Sequence, residues 1–398
     1  MIKEIRQRFN RDFTPEKYEA FKQSIYDEFN HVPNFRIAET PVFIPRLLKD
    51  RLIEACNEIT DVICDPGFKK LTENAIHFPH QPVPNEDDHT IFLQMDFGIC
   101  YDEKGDLIPQ LIEIQGFPSL YFFQDLLANK RREHFDLPDN ITHLLNGYTS
   151  ETYTELLRSV IVGPSDPENV ILLELEPEEQ TTQIDYWATE RALGIKTVCL
   201  SDVIVRGSKL FYKNDKGVEV PIERIYNRVI FDELMQRDDL PREFYFTHDY
   251  DVKWLGHPNW FFRISKYTMP FLKSKYVPET MFLRSLEEYP SNLSNYVLKP
   301  LYSFAGAGVK LDFTGQELDL IKNKPNYILQ KKVNYEPIIQ TPSDPAKCEI
   351  RMLMIWPENE PRPFIVNNLA RLSKGKMIGV KYNKNKDWVG ASVGFFED

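Results

Sequence analysis

The chain has little of what would tie it together covalently or anchor it in a bilayer. Five of its 398 residues are cysteine (Cys56, Cys64, Cys100, Cys199, Cys348), scattered and without a Cys-x-x-Cys pair. They read as reduced thiols, with neither a disulfide framework nor a zinc site. No apolar run approaches the ~20 residues of a membrane-spanning helix, and runs such as Val170 to Leu173 are strand-sized. The opening MIKEIRQRFNRDF is charged throughout and lacks the apolar core of a signal peptide, so a cytoplasmic location is expected. Positive charge is also short, with 48 Lys+Arg against 60 Asp+Glu for a net charge of −12. That balance argues against a nonspecific nucleic-acid binder, which must neutralise phosphates, although local basic patches stay open. No G-x-G-x-x-G follows a strand and no Gly-Lys-Ser/Thr closes a glycine loop. Nicotinamide or flavin binding and a P-loop kinase fold are thereby disfavoured.

What is present is a globular composition: 42% apolar and 27% charged residues, over a length that suits two or three domains. The 27 Phe and 19 Tyr supply rings for cores or for a flat ligand such as a nucleobase. We find neither an internal repeat nor a low-complexity run.

Thr14 to Cys64 reads as helical. Thr14-Pro15-Glu16 offers an N-cap, an N1 proline and an acidic first turn, and Leu47, Leu48, Leu52, Ile53, Cys56 and Ile59 recur at helical spacing. Residues 77–88 read as a proline-rich acidic loop. His89 to Tyr101 and Pro109 to Gln115 are rich in β-formers around the turn chemistry of Asp102 to Asp106, which predicts a hairpin. A helix over about Ser119 to Asn129 follows. Val170 to Leu175, Gln183 to Leu193 before Gly194, and Ile195 to Leu200 predict a βαβ unit. With a hairpin over Val205 to Tyr212 and Val218 to Ile222, and a strand over Ile225 to Ile230, this stretch reads as a Rossmann-like α/β lobe. A Trp- and Phe-rich helix is expected over Asn259 to Lys275. Strands are expected over Tyr296 to Pro300, Val309 to Phe313, Tyr327 to Val333, Cys348 to Trp356 and Pro363 to Leu372.

Three groups of residues carry chemistry. In YVLKPLYSFAGAGV, Lys299 ends an apolar strand, and Ala305, Gly306, Ala307 and Gly308 follow it, small enough to let backbone N–H groups approach an anion. A Gly-rich turn beside a surface lysine reads equally well from this segment alone. In the hairpin, Glu113 and Gln115 share a strand face, and Asp96 on the other arm comes within reach of it. Two carboxylates and an amide oxygen on rigid strands suit Mg²⁺, a cation that prefers hard oxygen ligands. Glu349 and Arg351 alternate onto one strand face, which alone would be a surface ion pair. Arg351 and Arg371 on neighbouring strands would instead match phosphate oxygens bidentately.

Taken together these motifs resemble the ATP-grasp ligases. YVLKPLYSFAGAGV resembles the strand lysine with its phosphate loop, YILQKKV the hinge strand that binds adenine, and QMDFGICYDEKGDLIPQLIEIQGFPS the metal hairpin. The hairpin precedes the lysine strand here, an order similar to the circularly permuted branch that includes the glutathionylspermidine synthase type. PNWFFRISKYTMPFL is similar to that branch's nucleotide-proximal helix and contributes Lys266. The resemblance covers most of residues 90–398. It implies an α/β, circularly permuted ATP-grasp fold: an N-terminal helical region over 1–85 packing on or covering that lobe, a metal-hairpin part over 86–150, a Rossmann-like lobe over 151–258, and ATP-binding lobes over 259–398. It implies that Lys266 and Lys299 contact ATP phosphates alongside the loop of Ala305, Gly306 and Gly308. Gln330, Lys331 and Val333 would frame adenine, and Asp96, Glu113 and Gln115 would hold Mg²⁺. Arg351 and Arg371 would assist the transferring phosphate. Gln115 stands where the family has Asn, which keeps the amide oxygen but sets it one methylene further out. The activity implied joins a small carboxylate, an amino acid or peptide, to an amine through an acyl phosphate, with no nucleic-acid or membrane partner. Two other readings stay open: a catalytically weak or inactive nucleotide-binding protein, suggested by Gln115, and an α/β protein unrelated to nucleotides, such as a glycosyltransferase-like scaffold.

Other features read as ordinary. His77 and His80 lie in a proline loop rather than on one helix face. Glu174, Glu176, Glu178 and Glu179 read as a solvated acidic loop, with amine docking at a strand end as the rival. Trp254, Trp260, Phe261 and Phe262 read as packing.

Overall fold

The computed structural model describes residues 1–76, 82–303, 306–376, 378 and 383–398. Its centre is an antiparallel sheet in the order Gly390–Ser392, Phe364–Ser373, Lys347–Ile355, Phe92–Tyr101, Leu107–Gln115. The early hairpin thus lies beside strands that come some 250 residues later in the chain, with Asp96 opposite Arg351 in register. The hairpin closes as expected, because the Asp102 carboxylate accepts from the backbone N–H of Lys104 and of Asp106, both at 2.9 Å. Every residue from Phe92 to Cys100 is buried. This strand is therefore covered on both faces.

The helix Arg46–Ile63 covers part of the hairpin. It buries Leu48, Leu52, Ala55, Cys56 and Ile59, while Leu47 stands exposed and Ile53 is half-buried. The long helical stretch expected from Thr14 is interrupted. Pro15–Phe29 is helical, with the Thr14 side chain accepting from the Lys17 N–H at 3.3 Å, but Asn30 is left-handed and ends it. The chain then forms the short strand Val42–Ile44, parallel to Gly394–Glu397, before Arg46.

Val170–Glu174, Gln183–Leu193 and Lys196–Cys199 form the expected βαβ unit, with the helix ending at Gly194. They belong to a parallel sheet in the order Lys253–Leu255, Arg224–Asn227, Val170–Glu174, Lys196–Cys199. Strand order reverses between Val170–Glu174 and Arg224–Asn227. The segment 205–212 is not one strand: Gly207 and Ser208 turn it, giving Ile204–Arg206 and Lys209–Lys213 in a separate three-stranded sheet.

The last lobe is a small antiparallel sheet in the order Thr280–Phe282, Tyr327–Lys331, Tyr296–Pro300. Two expectations fail around it. Within Asn259–Lys275 only Asn259–Arg263 is α-helical. Residues 257–269 are buried throughout, so no solvent face supports an amphipathic helix, and the Ser265 and Thr268 hydroxyls take the Phe262 and Arg263 carbonyls. Of Val309 to Phe313, only Lys310 bridges to a strand, at Leu298.

Candidate active site

The cleft lies where the hairpin edge meets the small antiparallel sheet. Pairing across the central sheet puts Asp96 opposite both Arg351 and Glu113, and Glu349 opposite Arg371. In an antiparallel ladder such partners share a face. Six charged or polar side chains from four strands, Gln94, Asp96, Glu113, Glu349, Arg351 and Arg371, therefore project to one side.

Asp96 receives a forked ion pair from Arg351, Nε to Oδ1 at 2.5 Å and Nη2 to Oδ2 at 2.6 Å, and Arg351 Nη1 donates to Gln94 Oε1 at 3.0 Å. Gln94 in turn donates to the Ser119 carbonyl at 2.9 Å, tying the cluster to the loop after the hairpin. Arg371 donates to Glu349 at 2.9 Å and stands 3.7 Å from Asp96. The second Glu349 oxygen accepts from the Tyr335 hydroxyl at 2.9 Å. Glu113 faces Lys266 at 3.5 Å and Arg351 at 3.9 Å.

The two lysines enter from the last third of the chain. A β-bulge at Ile112 shifts the hairpin register between Asp96 and Phe97 and takes the Ile112 carbonyl out of the ladder. Lys299 Nζ donates to that carbonyl at 2.8 Å, and Gln330 Nε2 donates to the adjacent Leu111 carbonyl at 3.1 Å. These bonds dock the small sheet on the hairpin edge. Lys266 donates to the Ser303 carbonyl at 2.7 Å, immediately before the glycine-rich segment. An ammonium has three donors, so each lysine keeps hydrogens for another acceptor.

Burial would raise the Glu113 carboxyl, but Lys266 first, then Arg351, Lys299 and Arg371, outweigh it and hold it at about 2. Burial lowers the Lys299 ammonium to about 8, against the opposing pull of Glu113. Burial also pushes Glu349 up, with Arg371 opposing. For Arg351, burial acts downward and the Asp96 carboxylate more than reverses it, so the guanidinium stays charged.

Of the residues singled out from sequence, Asp96, Glu113, Gln115, Lys266, Lys299, Arg351 and Arg371 come together, with Gln330 at the docking seam. Val333 packs against Gly98, whereas Lys331 points to solvent. Ala305 lies outside the described residues, as do His77 and His80. Gly306 and Gly308 sit exposed in left-handed conformations, φ 72° and 71°, and a Cβ on Gly308 would come within 2.8 Å of Pro300. Glycine is the residue that fits this turn.

Sequence reasoning missed Gln94, Ser303 and Tyr335, and it did not foresee the pairing of Glu349 with Arg371. Alternation from Asp96 would have found Gln94. Tyr335 had no signal: it lies over the bare backbone of Gly98, where a Cβ would meet its ring at 2.8 Å. Ser303 Oγ is buried and, among the described residues, has no hydrogen-bond partner. It borders, with Glu113, Gln115, Phe117 and Lys266, a cavity of about 20 Å³, room for one or two waters.

As the side chains stand, the three expected metal ligands do not fit a divalent ion. Both Asp96 oxygens serve Arg351. Gln115 turns its amide N–H₂, not its oxygen, to Glu113 at 2.9 Å. Among the described residues, no group of three His, Cys, Asp or Glu is arranged to hold a metal. Mg²⁺ demands a near-octahedral oxygen shell and loses water reluctantly, and four cations surround the only carboxylate left partly open.

Neither protein-family profiles nor curated proteins yield a match to this chain. Solved structures do. A glutathione synthetase-like effector from Globodera pallida, in its apo form, superposes with a TM-score of 0.57 at 10% identity over 98% of each chain. A chain from Methylobacillus flagellatus provisionally named gamma-glutamylcysteine synthetase has a TM-score of 0.37 at 12% identity over 87% of each chain. The first likeness shows the fold: a mixed α/β architecture of several sheets, shared from end to end with a glutathione synthetase-like protein.

Proposed function

We propose that the chain is a carboxylate–amine ligase of the ATP-grasp type, its elements in permuted order, with the lobes at 1–85, 86–150, 151–258 and 259–398. The observation that carries this reading is convergence. Lys266, Lys299, Arg351 and Arg371 meet at one cleft, at the junction of the hairpin and the small sheet.

On this reading Lys266 and Lys299 receive the nucleotide phosphates and the strand Tyr327–Lys331 with Val333 lies along the base. Phosphoryl transfer leaves little covalent work to the protein, so positioning and counter-charge dominate. A substrate carboxylate attacks the γ-phosphate while Arg351 and Arg371 face the charge spread over its oxygens. An amine then attacks the acyl phosphate and displaces phosphate. No step needs a protein nucleophile, and none is derived through a metal. The partners are a small carboxylate, an amino acid or peptide, and an amine, in a cytoplasmic setting. In the metal question the chain departs from the Mg²⁺ use that the resemblance implies.

ATP with pools of amino acids, peptides and polyamines, in magnesium and in EDTA, tests the proposal. ADP release stimulated by one pool and abolished in Lys299→Met supports it. A second reading, nucleotide binding without turnover, is favoured by one observation: Arg351 already occupies Asp96. Nucleotide binding with no pool-stimulated ADP would select it.

A further inference from the structure

We infer that this cleft takes a phosphate chain with its own lysines and arginines as the whole counter-charge, and no divalent ion. Four cations, Lys266, Lys299, Arg351 and Arg371, face three carboxylates, Asp96, Glu113 and Glu349. The charge is therefore positive by one before any ligand arrives, and Glu349 is pushed by burial toward its neutral form. Beside a phosphate chain, Mg²⁺ takes one or two protein carboxylates together with the phosphate oxygens, so at least one carboxylate oxygen must be free to turn toward it. Here the acids are spent inside the cluster. Asp96 is forked by Arg351, Glu349 is shared between Arg371 and Tyr335, and Glu113 is held ionised by Lys266, Arg351, Lys299 and Arg371.

The donors left over point the same way. Each lysine uses one of its three hydrogens on a backbone carbonyl. The Arg371 side chain is 35% exposed and Glu113 24%, so the cluster opens to solvent at one guanidinium and one carboxylate, with Lys266 behind them. Ser303 Oγ, buried beside Lys266 and without a partner among the described residues, is a neutral donor that an anion would satisfy. The guanidinium fork satisfies the Asp96 carboxylate at 2% exposure.

The inference rests on the nucleotide reading only for the identity of the ligand, and two probes separate the two claims. Binding of ADP and of inorganic tripolyphosphate is measured calorimetrically in EDTA and in magnesium. The expected result is a dissociation constant in EDTA within about threefold of that in magnesium, since the site itself supplies the counter-charge. Loss of binding by more than about tenfold in EDTA, for both probes, would overturn the inference and leave the nucleotide reading standing. Tripolyphosphate bound in EDTA with ADP bound in neither buffer would end the nucleotide reading and keep the metal-free anion site. No binding of either probe in any buffer would end both. Glu113→Gln sharpens the result by sign. Removing an opposing charge should tighten tripolyphosphate binding in EDTA by about threefold or more, whereas a metal-ligand role would leave binding in EDTA unchanged and weaken it only in magnesium. Should that variant fail to fold, the wild-type comparison of buffers decides alone.

Discussion

Two buried ion clusters in this protein use the same residue types to opposite ends. In the parallel-sheet lobe, Asp185 accepts from the backbone N–H groups of Leu120, Phe122 and Phe123 and from Arg228 Nη1, at 2.8–3.1 Å, with side-chain exposures of 0% and 3% for the pair. It caps the helix Tyr121–His134 and fixes how the hairpin leaves the central sheet. Beside it, Glu174 accepts from the Tyr186 hydroxyl at 2.6 Å. In the cleft, by contrast, the cations outnumber the acids, two side chains reach solvent, and donors are left over. Burial of charge does not distinguish a brace from a binding site; the balance of donors and the open edge do.

The comparison breaks most visibly at Asp185. Asp185→Ala leaves Arg228 buried and uncompensated and uncaps a helix, so unfolding free energy should fall by about 3–5 kcal/mol, read from the denaturant midpoint. A loss below about 1 kcal/mol would show that the closed cluster is not a brace.

A pH profile tests the same lobe. Burial raises the Glu174 carboxyl from 4.5 to about 7, so the folded chain holds a proton that the unfolded chain has released. For this group stability is greatest below pH 4.5 and falls as pH rises through 7. The total fall is roughly 3 kcal/mol, with no further change above. Glu174→Gln should flatten that fall between about pH 5 and about pH 8 in denaturant melts. An unchanged slope would refute it.

The smallest effect on stability belongs to the cleft. Arg371→Met should cost only about 1–2 kcal/mol of stability, because its side chain is partly in water and Glu349 keeps its hydrogen bond from Tyr335, yet it should weaken tripolyphosphate binding about tenfold. Equal losses in both would mean that the two clusters do the same job.

The site was partly legible in the chain. Asp96, Glu113 and Gln115 could be placed on one face because the turn at Asp102 to Asp106 fixes a hairpin and side chains alternate with period two. Lys299 could be placed at a strand end by the same logic. The pairing of Asp96 with Arg351 could not, since the two are 255 residues apart and strand neighbours at that distance leave no local pattern. The bulge at Ile112, which presents a carbonyl to Lys299, was equally hidden. The helix expected over Asn259 to Lys275 failed for a related reason: aromatic density signals burial, not the element that is buried.

Sequence alone determined much of the local alphabet of this protein: the early hairpin, the βαβ unit, the Thr14 cap, and the presence of Asp96 and Glu113 early and of the basic residues late in the chain. Those follow from short-range sterics and periodicity. Tertiary structure alone decided which acid met which base, and so whether Asp96 faced a guanidinium or a vacant oxygen shell. That choice depends on strand order and on the free energy of removing charge from water, and both exist only once the sheet has assembled.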